Sequence, residues 1–141
     1  MAYVTQDDLI GMIPEEEVVR ALDDDGDGVV DNDVWLAVAE GVSSDIDGRL
    51  GALYSVPFTG TIPALVTLAA RILAAEALYA RRGIGEDANP WKKQADAIRA
   101  RLDRVGTGKE PLDRNVAQER PPVVAITEAS KTYSSAGNLM S

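Results

Sequence analysis

The chain has 141 residues, of which 45% are hydrophobic and 26% charged, with a formal net charge of −9 and neither cysteine nor histidine. That length and composition support one domain with a core of ordinary size and a tail. They exclude disulfides and thiolate chemistry and, without histidine, the usual catalytic triad and most zinc sites.

The charge is unevenly spread. Residues 1–54 hold 14 acidic groups against Arg20 and Arg49, residues 55–104 carry a net +3, and residues 105–141 balance. No basic face of the strength that a nucleic-acid footprint needs is present. An acidic half and a mildly basic half could meet head to tail between subunits, the heterologous contact that closes rings, or could simply confer solubility. No secretory leader pattern opens the chain and no apolar run is long enough to span a membrane, so a soluble cytoplasmic protein is the expectation.

Thr5-Gln6-Asp7-Asp8 reads as a capping box that starts a short helix running to about Met12. Pro14, followed by Glu15, Glu16 and Glu17, starts a second, because acids favour the positive end of a helix. Val18, Val19 and Leu22 give it an apolar face. Both helices are too short to stand alone and must dock on something longer.

Asp23-Asp24-Asp25-Gly26-Asp27-Gly28-Val29-Val30-Asp31-Asn32-Asp33 follows, six carboxylates in eleven positions. Their repulsion discourages a helix, so the run is a loop. Its spacing is that of an EF-hand-type calcium loop, with Asp23, Asp25 and Asp27 at positions 1, 3 and 5 and Gly28 at the sharp turn. Val29 would offer its carbonyl at position 7, and Asp31 a direct or water-mediated ligand at position 9. Position 12 is Val34 rather than the bidentate glutamate, which predicts a weak, structural Ca²⁺ rather than a sensing one. An ion-free acidic linker rich in Asx turns is the alternative.

Asn32 or Asp33 can cap the next helix, in which Trp35, Val38, Val42, Ile46, Leu50 and Leu53 recur at steps of three and four. Asp45 and Asp47 point to different faces, so they read as surface charges or partners of Arg49 rather than an acid–base pair. Tyr54-Ser55-Val56-Pro57-Phe58 breaks the helix. With Thr61 as cap, a helix from Pro63 to about Arg82 carries two apolar seams, Leu65-Leu68-Ile72-Ala75-Tyr79 and Val66-Ala69-Leu73-Ala77. Two seams predict burial on two sides. Asn89-Pro90-Trp91 opens the last helix, whose stripe is Trp91, Ala95, Ile98, Leu102 and Val105. Lys92, Lys93, Arg99, Arg101 and Arg104 are its solvated face, and Gly106-Thr107-Gly108 stops it.

The predicted fold is therefore all-α. It is a small bundle of four to five helices over residues 1–108, with the acidic loop between two of them and an extended tail over residues 109–141. Within the tail, Val123-Val124-Ala125-Ile126-Thr127 is a short β-prone run without a local mate. It is expected to bind a partner, by adding a strand to another chain's sheet, or else to be disordered in the free monomer.

The order of short N-terminal helices, Asp25-Gly26-Asp27-Gly28-Val29-Val30-Asp31, Asp45-Ile46-Asp47-Gly48-Arg49-Leu50, Tyr54-Ser55-Val56-Pro57-Phe58 and Tyr79-Ala80-Arg81-Arg82-Gly83 resembles the Mu-like prophage gp36 family. The likeness covers about residues 1–112. More remotely, the chain resembles the small helical head–tail connectors that form rings beneath a phage portal. The resemblance implies a virion structural protein of the neck, assembled in the host cytoplasm and acting in head completion. Implied partners are further copies in a homo-oligomeric ring of about twelve, the portal protein, and a tail terminator or other neck protein. DNA would only pass through the channel, and no membrane and no catalytic residue are implied. Two other classes stay open. One is a calcium-binding module with a single degenerate loop. The other is a metal-assisted hydrolase built on the aspartate cluster, which lacks a histidine base.

Overall fold

The computed structural model describes residues 2–112. Over these the chain is all-α, with helices α1 (Gln6–Ile10), α2 (Glu15–Leu22), α3 (Asn32–Leu50), α4 (Ala64–Arg81) and α5 (Lys92–Gly106), and one 3₁₀ turn at Glu86–Ala88. There is no strand among the described residues.

Three long helices make the frame. Asp103 of α5 meets Arg49 of α3 at 2.8 Å, and Gly106 lies against the backbone of Arg49 and Leu50, so α5 follows α3 in the same direction. The opposite sense holds for α4, whose last residue, Arg81, reaches back to Asp24 just ahead of α3. Side chains from all three meet in one core, where Ile46, Leu50, Val66, Leu78, Leu102 and Val105 are almost fully enclosed. As its two seams require, α4 is buried at Leu65, Val66, Ala69, Ala70, Ile72, Leu73, Ala74, Ala75 and Leu78. The short helices lie across it through Leu9, Val18 and Leu22.

Local chemistry accounts for most of the boundaries. Thr5 and Asp8 form the expected capping box, with Asp8 N–H donating to Thr5 Oγ1 at 3.3 Å and Thr5 N–H donating to Asp8 Oδ2 at 3.0 Å. Pro14 and Pro63 each sit just before their helices, where a missing N–H costs nothing. Val56–Pro57 is a cis peptide in the turn after α3.

Several expectations are corrected. The α3 cap is Asp31, not Asn32 or Asp33, and its carboxylate accepts from Asp24 N–H at 2.7 Å instead of capping. For α4 the cap is Pro63 rather than Thr61. The last helix starts at Lys92, because the Asn89 side chain closes a turn by accepting from Trp91 N–H at 3.0 Å and donating to the Glu76 carbonyl at 3.0 Å. Leu68, placed on a seam by spacing, is 44% exposed. Within one chain, three cations of residues 55–104 meet acids of residues 1–54: Arg71 pairs with Asp8, Arg81 with Asp24 and Arg82 with Glu17.

The N-terminal residues add a tie that periodicity does not register. Tyr3 and Val4 are buried. Tyr3 N–H donates to Ser43 Oγ at 3.0 Å, its phenol donates to Asp47 Oδ1 at 2.6 Å, and the phenol oxygen accepts from Phe58 N–H at 2.9 Å. Asp47 is thus a partner of Tyr3, while Arg49 pairs with Asp45 and Asp103. At the other end, residues after α5 fold back on the bundle. Glu110 accepts from Arg101 and Arg104, and Leu112 is buried, with its N–H donating to the Tyr54 phenol at 3.3 Å.

Candidate metal centre

Between α2 and α3 the acidic loop turns on two left-handed glycines, Gly26 at φ +78° and Gly28 at φ +82°. Residues with a Cβ adopt this conformation at a cost, and glycine does so freely. The turns let one carboxylate gather several amides. Asp23 accepts from Gly26 N–H at 2.8 Å, Asp27 N–H at 3.2 Å and Gly28 N–H at 2.8 Å. Asp25 accepts from Asp27 N–H at 3.2 Å, and Asp27 from Val29 N–H at 2.9 Å. Two ties hold the loop to the bundle. Arg81 donates to the Ala21 carbonyl at 2.9 Å and to both Asp24 oxygens at 2.8 and 2.9 Å. Asp31 N–H donates to the Leu22 carbonyl at 3.0 Å.

Asp23, Asp25, Asp27 and Asp31 each bring one oxygen to within 4.8 Å of the others. Oxygens that share one calcium at ~2.3–2.6 Å lie at most about 5 Å apart, so this spread fits a single ion. Val29 follows the turn with its side chain exposed, and Val34 at the twelfth position brings no ligand.

The electrostatics follow from the hydrogen bonds. Donation from the Gly28 amide, with the neighbouring amides, holds the Asp23 carboxyl below its ordinary value. Asp25 goes the other way. Donation from the Asp27 amide favours its charged form, but a shared hydrogen bond with Asp23, desolvation and the Asp27 carboxylate together push it up to about 6. Crowding therefore makes one member of the cluster hold a proton more tightly than a free carboxylate would, and a divalent cation would relieve that crowding. Chemically the site is an all-oxygen donor set suited to a hard cation.

Spacing alone named these four carboxylates, and the fold brings them together. It did not name Arg81, whose only sequence signal was a cation in the last turn of α4. The residues Val123, Val124, Ala125, Ile126 and Thr127, expected to clasp a partner, lie outside the described residues.

Among the described residues no helix is long and apolar enough to cross a membrane. No curated protein matches the chain. The sequence model of a family described as "Bacteriophage Mu, Gp36" matches residues 3–128, which takes in the whole bundle and extends beyond residue 112 through the Val123–Thr127 segment.

Proposed function

We propose that this chain, which belongs to the Bacteriophage Mu Gp36 family, is a structural protein of the phage particle that acts as a head–tail connector. Its copies would close a ring of about twelve between the portal and the tail-completion proteins, through which DNA passes. The observation that carries the reading is the family match across the bundle and into the tail. The physical character of the chain supports it. Net charge is strongly negative, so a channel wall made from it repels DNA rather than binding it. Family membership also points to a structural rather than an enzymatic protein. An aspartate cluster confined to one exposed loop, in a chain without histidine, gives no independent reason to assign a reaction.

The acidic loop fits into this reading as a structural calcium site. An ion held by Asp23, Asp25, Asp27 and Asp31, with the Val29 carbonyl, would fix the α2–α3 junction. The missing twelfth-position glutamate sets a weak affinity.

Native mass measurement of the full chain, alone and mixed with the portal protein of its own phage, tests the assignment. The expected result is a ring-sized complex on the portal, and loss of that complex when the chain is cut after Asp113. A folded chain that binds neither portal nor tail-completion protein at any calcium concentration overturns the connector reading. A monomer that changes shape with calcium would identify a calcium-binding module instead.

A further inference from the structure

An aspartate followed by glycine is a step at which a peptide chain can rearrange without any enzyme. The glycine amide nitrogen attacks the side-chain carboxyl carbon of the aspartate before it and loses its proton. A C–N bond forms, one carboxyl oxygen leaves as water, and a five-membered succinimide results. Water then opens the ring at either carbonyl. One opening restores aspartate, and the other gives isoaspartate, in which the backbone runs through the side-chain carbon and gains a methylene. Nothing is oxidised or reduced, and the water lost is regained. Glycine favours the attack because it lets other atoms approach its backbone closely.

The chain has three such steps, Asp25–Gly26, Asp27–Gly28 and Asp47–Gly48, and the fold treats them differently. Asp47–Gly48 lies within α3, where the amides belong to the helical ladder and the backbone is held away from the angles at which the ring closes. Its carboxylate also accepts from the Tyr3 phenol at 2.6 Å. The other two steps lie in the exposed loop, on the two glycines of positive φ. One residue engages both of their attacking nitrogens. Gly26 N–H donates to Asp23 Oδ1 and Gly28 N–H to Asp23 Oδ2, each at 2.8 Å. A nitrogen must leave that carboxylate before it can turn on its own aspartate, and giving up a hydrogen bond to a charged group slows attack about tenfold or more. The carboxyl ends are held less equally. Asp27 accepts from Val29 N–H at 2.9 Å. Asp25 accepts only from Asp27 N–H, at 3.2 Å, and that amide is shared with Asp23 Oδ1 at the same distance. The Asp25 carboxyl is thus the freer of the two to swing onto the next amide.

We propose that Asp25–Gly26 is a site of spontaneous isoaspartate formation, and that Asp23 restrains the reaction by holding the Gly26 and Gly28 amides. The inference goes beyond the connector reading and needs no ion in the loop. The product alters the loop itself. An extra backbone atom at position 25 shifts the turn between Asp23 and Gly28, next to the Asp24 carboxylate by which Arg81 ties the loop to α4.

The test ages full-length parent, Asp23→Ala and Asp31→Asn chains for weeks at neutral pH with chelator, and the parent also in urea. Trypsin cuts after Arg20 and Arg49 and at no residue between, so one peptide, residues 21–49, carries all three steps. Electron-transfer fragmentation then locates isoaspartate within it. In the folded parent, isoaspartate should appear at position 25 before position 27 and not at position 47, whereas in urea all three steps should react. Asp23→Ala should raise the rate at positions 25 and 27 about tenfold. Asp31→Asn disturbs the bond from Asp24 N–H but neither glycine amide, and should age at close to the parent's rate. Asp23→Asn keeps one acceptor oxygen and should fall between the parent and Asp23→Ala. Circular dichroism reports that the variants are folded. A folded parent that forms none at position 25, or forms it first at position 27 or 47, overturns the site. An Asp23→Ala chain that ages at the parent's rate overturns the restraint, and so does one that ages more slowly, as it would if the carboxylate served as a base for the attack.

Discussion

Replacing Gly106 with alanine isolates what the α3–α5 packing contributes. Gly106 is buried at the end of α5, and a Cβ there would lie 2.0 Å from the Arg49 carbonyl oxygen and 3.1 Å from the Arg49 carbonyl carbon. A comfortable C···O contact is ~3.3 Å or more, so the two helices must part by roughly 1 Å. That separation reaches Leu50, Leu102 and Val105, all fully enclosed beside the contact. Overpacking of this kind costs about 1–3 kcal/mol and sometimes more, and the gain in helix propensity returns less than about 1 kcal/mol. For a chain of this size a net loss of ~2 kcal/mol lowers Tm by roughly 6–12 °C. Gly48→Ala is the matched control. Its Cβ meets nothing within 4 Å, so only the propensity gain remains and the chain should be stabilised by up to ~1 kcal/mol. Urea and thermal unfolding of both full-length variants, followed by circular dichroism, measure the difference. A Gly106→Ala chain as stable as the parent, or a Gly48→Ala chain equally damaged, would refute this account of the packing.

The Tyr3 phenol gives an alkaline signature. Desolvation first, then donation to Asp47, push its pKa up to about 12. The folded state therefore keeps a proton that the unfolded chain releases near pH 10, so this stability is fully present below pH 10 and is lost as pH rises towards 12. Two units would be ~2.7 kcal/mol at face value. Because the Asp47 side of the bond is partly open to solvent, about 1–2 kcal/mol is expected. Tyr3→Phe removes the bonds to Asp47 and from Phe58 N–H and should cost about 1–3 kcal/mol at pH 8, and its stability should fall less than the parent's between pH 10 and 12; parallel pH profiles would refute the assignment. Calorimetric titration should show calcium binding with Kd in the ~10⁻⁴–10⁻³ M range. Asp25→Asn should weaken it while stabilising the calcium-free loop, and no heat together with no effect of chelator would sink the site. Arg81→Ala should cost about 1 kcal/mol, because it removes two hydrogen bonds to Asp24 in the loop and one to the Ala21 carbonyl at the end of α2, at a partly exposed site. It should also speed proteolytic cleavage between Asp23 and Asp31, and an unchanged cleavage rate would show that the arginine does not hold the loop.

What the sequence made legible was local. The capping box at Thr5 and Asp8, the prolines before α2 and α4, and the glycine turn at Gly28 are fixed by residues within a few positions of one another, and each is found in the fold. The aspartates of the loop were legible for the same reason, since their spacing is their geometry. Long-range contacts were not. Leu68 shares a helical period with buried Leu65 and Ile72, but no element among the described residues covers its side of α4, and period alone says nothing of cover. Asn89 carried a cap signal, but its amide was taken by the Glu76 carbonyl thirteen residues away. Arg81 could be read only as a helix-end cation, because its partners lie 57 and 60 residues earlier. A signal for Tyr3 did exist. Val4 and Leu9 flank the cap as a hydrophobic staple and both are buried, which marks residues 3 and 4 as inside the fold.

The Tyr3 tie also bears on the order and lifetime of folding. Its three hydrogen bonds span 40, 44 and 55 positions, and closing a loop of that size costs roughly 3–4 kcal/mol in chain entropy. The bonds need α3 and the turn at Phe58 in place, so the latch is expected to form on the native side of the main folding barrier. An interaction absent from the transition state leaves the folding rate alone and slows unfolding. On that ordering Tyr3 sets how long the chain stays folded rather than how fast it gets there, so its removal should be read in the unfolding rate and not in the folding rate.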